Sequence, residues 1–136
     1  MKRFLTFSVV VLSLFLCTCN SKTERIHRHI LKANEYIHLS NYEAALKELD
    51  KCEQIDKDNP MASYLRGNIY ATHKQYEQAI EMYDIAIELD KYFVDAYINR
   101  GRSWFYLGNK DKRCEDFLKA ESLGATNLKD DTKFCK

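Results

Sequence analysis

The stretch GNIYATHKQYEQAIEMYDIA, residues 67–86, decides the reading of this chain, because its landmarks return every 34 residues. Gly67 recurs as Gly101 and has Ala33 before it; Tyr70 recurs as Trp104 and has Tyr36 before it. Ala79 follows Ala45, Tyr83 stands between Leu49 and Phe117, and Ala86 between Cys52 and Ala120. Small residues return where two helices would touch. Large apolar ones return where a core would be filled. A period of this length predicts a stacked array of helical units, and such arrays generally bind rather than catalyse.

Outward from that stretch, three units can be drawn at 26–59, 60–93 and 94–127. Each holds an amphipathic segment, a break and a second segment. In the second unit Tyr76, Ala79, Ile80, Tyr83, Ala86, Ile87 and Leu89 follow three-and-four spacing. Glu77, Glu81, Asp84 and Glu88 are placed on the opposite face. Ser40-Asn41 breaks the first unit, and Leu107-Gly108-Asn109 breaks the third with a Gly past the last turn. His73-Lys74-Gln75 breaks the second without a Gly. Asp56 to Pro60 reads as a turn feeding a helix that starts near the proline. Gly67 and Ala79 are expected on facing helices of one hairpin, letting the backbones approach, so Gly67→Leu should overpack it.

These residues resemble the tetratricopeptide repeat. Gly67, Tyr70, Ala79, Tyr83 and Ala86 match its pattern, as do Tyr97, Gly101, Trp104, Phe117 and Ala120, with Ala33, Tyr36, Ala45, Leu49 and Cys52 as a weaker first copy. Pro is missing from its expected place in every copy. Arg113 stands where a small residue belongs, and Arg66 and Arg100 replace the usual Leu. The resemblance implies an all-α, right-handed solenoid of three hairpins. The ending, through Leu123-Gly124 and Phe134-Cys135, is similar to small lipid-anchored repeat proteins of bacteria and implies a capping helix over 128–136.

The same resemblance places the first helix of each hairpin on a concave face. By position that face presents Ile30, Asn34 and Ile37, then Tyr64, Asn68 and Ala71, then Ile98, Arg102 and Phe105. Its apolar anchors, two amides and one guanidinium would suit a peptide, with Asn34 and Asn68 bonding the peptide backbone. In members that clamp a C-terminal carboxylate, a Lys and an Asn would be wanted at Ile30 and Leu65. That specificity is therefore not expected here.

The first 19 residues are of another kind. Lys2 and Arg3 precede an uncharged run from Phe4 to Leu16, the length of a signal-peptide core and short of a bilayer span. Leu16-Cys17-Thr18-Cys19 resembles a bacterial lipoprotein signal. Cys19, with Leu16 three before it, is the first choice for lipidation, and Cys17 the second. An ordinary secretory signal or an uncleaved anchor is the alternative. Lipidation implies a polar tether at 20–25 and a chain held on the extracytoplasmic side of a membrane of the bacterial envelope. A diacyl or triacyl Cys would hold it almost permanently, since each buried methylene adds about 0.8 kcal/mol.

Composition narrows the partner. The net charge is +1, and without Lys2 and Arg3 the chain holds 19 basic and 20 acidic residues. That balance gives no electrostatic case for nucleic acid. Cys52 reads as a buried thiol at a helix contact. Cys114 and Cys135 could be bridged outside the cytoplasm, closing a loop of about 22 residues worth about 3 kcal/mol, or stay two thiols. No phosphate loop, hydrolase motif or metal-ligand spacing is present, and His27, His29, His38 and His73 read as solvated. No catalytic residue, metal or cofactor is expected. The expected function is a membrane-tethered adaptor for a protein or peptide, the alternative being a structural subunit of a stable envelope assembly.

Overall fold

The computed structural model of the protein describes residues 22–126, 128–133 and 135. The signal segment with Cys17 and Cys19, the start of the tether and Phe134 lie outside the described residues. Helix α1 covers 22–38. It is followed by α2 (Tyr42–Ile55), α3 (Pro60–Thr72), α4 (Tyr76–Leu89), α5 (Val94–Tyr106), α6 (Lys110–Ser122) and the single turn α7 (Lys129–Thr132). No strand occurs among the described residues. None of their helices is long and apolar enough to cross a membrane. Residues 22–25, expected as tether, are already helical. Lys22 there reaches Asp56 at the end of α2 at 3.5 Å.

Local chemistry sets the helix ends. Asn41, Asn59 and Asn109 each accept the backbone N–H of the third residue of the helix that follows, as N-cap residues do. Pro60 occupies the first position of α3, where a missing N–H costs nothing. The three breaks inside the hairpins share one geometry. Ser40, Lys74 and Gly108 stand 34 residues apart and adopt φ of 56°, 59° and 76°. Only the third carries the glycine that this left-handed conformation favours. The first two breaks carry no such mark in the sequence.

The hairpins α1/α2, α3/α4 and α5/α6 stack into a helical solenoid. One core joins Ala33, Ala45, Leu49, Cys52, Ala62, Leu65 and Ile69; a second joins Ala86, Ile87, Ala96, Tyr97, Ile98, Phe117, Ala120 and Leu128. Tyr64 packs against both. Gly67 on α3 makes room for the ring of Tyr83 on α4, whose Cε1 would lie 2.5 Å from a Cβ. Gly101 does the same for Phe117 at 2.6 Å.

The two arginines that replace the usual Leu have repeated partners. Arg66 pairs with Asp50, and Arg100 with Asp84, each acid being the same number of residues before its arginine. Each pair joins one hairpin to the next. Arg100 also makes a two-pronged bond to the buried Asp116, at 3.0 and 2.6 Å. Burial raises the Asp116 pKa, and Arg100 offsets this only in part. Asp84, half-exposed, thus takes part in a contact between hairpins.

At the far end, Leu128 is buried at 1% exposure and Thr132 at 2%. Cys114 of α6 is disulfide-bonded to Cys135, with Cα atoms 5.2 Å apart. The expected capping helix over 128–136 is only one turn. Leu128 serves as its N-cap residue and reaches the core from there.

Candidate functional site

The second and third hairpins form an open groove with a volume of about 340 Å³. Its walls come from α3 (Asn68, Ala71, Thr72), α4 (Tyr76, Tyr83) and α5 (Asn99, Arg102, Ser103, Tyr106). Asn68 and Arg102 lie one period apart, so stacking two equivalent helices brings them together.

A hydrogen-bond network forms the floor. Tyr83 Oη donates to Asn68 Oδ1 at 2.8 Å, and Asn99 Nδ2 donates to the same oxygen at 2.9 Å. Asn99 Nδ2 also donates to Tyr64 Oη at 3.1 Å. Arg102 Nη1 donates to Asn99 Oδ1 at 3.1 Å. Two donors converging on one oxygen fix the orientation of the Asn68 amide. Asn68 also hydrogen-bonds the Tyr64 phenol, which with Asn99 offsets part of the effect of burial on that group. Burial, reinforced by Tyr64, pushes the Tyr83 phenol above its ordinary pKa; burial does the same to Tyr64. Both phenols stay protonated at neutral pH.

Aromatic rings make the rim. Tyr76 stacks on Tyr106 with centroids 4.7 Å apart and planes 9° from parallel. Tyr106 remains 63% exposed. The preceding interface has a related contact, where Tyr42 meets His73 edge-on at 4.8 Å.

The expected site residues divide. Asn68, Ala71 and Arg102 line the cavity, and Tyr64 joins its floor. Ile98 does not face a groove: it is 7% exposed within the second core, because its helix face packs inward there. Ile30 and Ile37 are half-buried against the first core. Asn34 is exposed on α1 and is not one of the cavity walls. Phe105 is 56% exposed and lines a separate depression with Gly108, Lys110 and Arg113. Its ring lies under the Arg113 guanidinium at 5.4 Å. Arg113, where a small residue belongs, also leaves its Nε buried without a partner among the described residues.

The sequence reading missed Asn99, Tyr76 and Tyr106. Asn99 stands one period after Leu65, so the asparagine that carboxylate-clamping members carry in the second unit has its counterpart in the third unit here. Tyr76 and Tyr106 sit beside turns, where periodicity assigns no partner. Two histidines are also better held than expected. His29 Nδ1 bonds Glu48 at 2.7 Å and His73 Nδ1 bonds the Ile69 carbonyl at 2.8 Å. Among the described residues no cluster of three or more His, Cys, Asp or Glu could hold a metal ion. Cys52 is a buried free thiol whose pKa burial raises.

Comparison with known proteins gives a consistent picture. A family model described as tetratricopeptide repeat matches residues 26–59 and 62–93. Tetratricopeptide repeat protein 14 of Mus musculus is 32% identical over 95 residues, which cover 65% of this chain and 12% of that protein. RNA polymerase II-associated protein 3 of Rattus norvegicus is 27% identical over 97 residues, covering 71% of this chain and 15% of its own. The chain thus spans a small fraction of the length of either relative. Among solved structures, the first such domain of Spaghetti (RPAP3), bound to an HSP90 peptide, superposes with a TM-score of 0.74 at 21% identity, covering 82% of this chain and 90% of that one. The second such domain of human RPAP3, in complex with an HSP70 peptide, gives 0.68 at 22% identity over 81% and 97%. These likenesses establish the fold.

Proposed function

The chain carries tetratricopeptide repeats, and from that premise we propose that it is a non-catalytic adaptor whose cavity between the second and third hairpins binds a peptide segment of a partner protein. One observation carries this reading. Asn68, Asn99 and Arg102 are held on one wall of an open groove beside the stacked Tyr76 and Tyr106 rings, which sets polar side chains next to an apolar surface as a peptide segment needs. Preorganisation by the phenol and the second amide lowers the ordering cost of binding. The peptides bound by the RPAP3 domains support the same class of ligand. The partner differs in one respect from a chain end held by a basic clamp. Ile30 and Leu65 stand where a Lys and an Asn would be wanted, and Leu65 is buried at 4% exposure.

We further propose that Cys19 is lipidated after removal of the preceding segment, which would hold the array on the extracytoplasmic side of an envelope membrane. The uncharged run before Leu16-Cys17-Thr18-Cys19 supports this. Metabolic labelling with a fatty-acid analogue should mark the chain, and Cys19→Ala should abolish the label.

Affinity co-purification from native membranes, beside a folded Asn68→Ala/Arg102→Glu variant, tests the groove. A partner lost only in the variant is the expected result. A partner kept equally would remove the groove reading and favour a subunit assembled permanently through another face.

A further inference from the structure

Each internal boundary of the array covers the same three places on the helix that follows it. In α3 these hold Ala62, Leu65 and Ile69, at 0%, 4% and 3% exposure. In α5 they hold Ala96 and Ser103, at 0% and 2%, with the half-buried Asn99 between them. One period earlier, α1 carries Arg28, Leu31 and Glu35. All three are exposed, Leu31 at 55%, because no hairpin precedes α1 among the described residues. Their spacing of three and four sets them in one stripe along the helix. Neither Arg28 nor Glu35 has an ion-pair partner among the described residues. The first hairpin thus presents an interface face whose counterparts in the later hairpins are all covered.

We propose that this stripe is a two-fold dimer interface, on which a second copy of the chain lays its own α1 antiparallel. The stripe is self-complementary in charge. Arg28 lies three residues before Leu31 and Glu35 four after it, roughly 4.5 and 6 Å along the helix axis. With Leu31 on the two-fold axis, Arg28 of each copy falls opposite Glu35 of the other. The two Leu31 side chains then meet between two ion pairs. A parallel arrangement would set like charges against each other instead. Lys32 lies at the edge of the stripe, where its long side chain reaches solvent. A head-to-tail stack would need the far end of the array. There Leu128, in register with Pro60 and Val94, and Cys135, bonded to Cys114, already take the place of a following helix. The isologous arrangement closes at two copies. One helix face is a small interface and its ion pairs are exposed, so the association is weak and salt-sensitive. The inference does not depend on the groove reading above.

The test is sedimentation equilibrium of the full chain in density-matched detergent micelles, read as mass against protein concentration. A reversible monomer–dimer equilibrium that weakens as salt rises is expected. Arg28→Glu or Glu35→Arg alone should weaken it about 10-fold, since symmetry places each reversal in two contacts. The double variant Arg28→Glu/Glu35→Arg should recover the parent affinity. These side chains are exposed, so the variants should keep the fold, which circular dichroism checks. Mild oxidation of Leu31→Cys should give a disulfide-linked dimer beyond any formed by the parent chain. Lys57→Cys, on the turn after α2, should not. A dimer indifferent to both single reversals, or a double variant no tighter than either, would overturn the proposal. So would a species that grows beyond two copies. A chain that stays monomeric at every concentration would also overturn it, and would leave the stripe to another protein or to a lipid surface.

Discussion

At Gly67 a single carbon atom decides the packing of the central hairpin. A Cβ there would sit 2.5 and 2.7 Å from two carbons of the Tyr83 ring, and that ring is only 1% exposed. Gly67→Ala gains about 1 kcal/mol of helix propensity. It must also displace a ring whose hydroxyl organises the cavity floor. We expect a net loss of about 1–3 kcal/mol in urea unfolding. The Asn68 signals should also shift as the Tyr83 bond lengthens.

Glu48 sets a second expectation at this scale. Hydrogen bonds from Lys51 and then His29 lower its pKa below 4.5. A carboxyl depressed in the folded state contributes stability above its unfolded pKa and loses it as the pH falls through the folded one. The first hairpin should therefore weaken below about pH 4.5. Glu48→Gln should flatten that acid limb in melting experiments at graded pH. Glu48 also illustrates what single residues conceal. The 34-residue pattern shows that α1 and α2 pair, but not that His29 would reach across to Glu48.

Among elements, the turns between paired helices show where local preference yields to packing. Ser40, Lys74 and Gly108 all adopt the left-handed conformation, which costs most residues about 1–2 kcal/mol. Stacking requires the same turn in each hairpin, so the first two hairpins absorb that strain. Lys74→Gly should relieve it, with a net gain of about 0.5–1 kcal/mol after the added entropy of the unfolded chain. Thermal unfolding of the variant beside the parent chain measures this directly. No change would mean that Lys74 holds its turn by other contacts. The helix spans themselves were legible, because apolar spacing and asparagine caps act within a few residues. The extent of α7 was not, because it depends on Leu128 reaching a core built by distant helices.

Across the whole molecule, the ends matter as much as the repeats. Repeat arrays draw stability from contacts between neighbours, so the last hairpin needs a cover. Here Leu128, Thr132 and the Cys114–Cys135 bond supply it. Cys135→Ser should lower stability by about 3 kcal/mol. The parent chain should show the same loss when melted with a reductant, and the variant should be insensitive to that reductant. The repeated pairs Arg66–Asp50 and Arg100–Asp84 add a registry device between hairpins. They explain how a position usually held by Leu can carry a charge.

By itself the sequence determined the repeat, its period, the small residues at helix contacts and the three-hairpin architecture. All of these follow from side-chain size and spacing along one chain. The resemblance to the repeat family also put Asn68, Ala71 and Arg102 on one face, and all three line the groove. Only the tertiary structure decided which residues complete the cavity. Asn99 joins Asn68, and Tyr106 stacks on Tyr76, across the boundary between hairpins. Ile98 turned into the core and Phe105 into another depression for the same reason. Periodicity fixes the face of a helix, whereas the side chains of neighbouring helices decide which residues on that face remain open to a ligand.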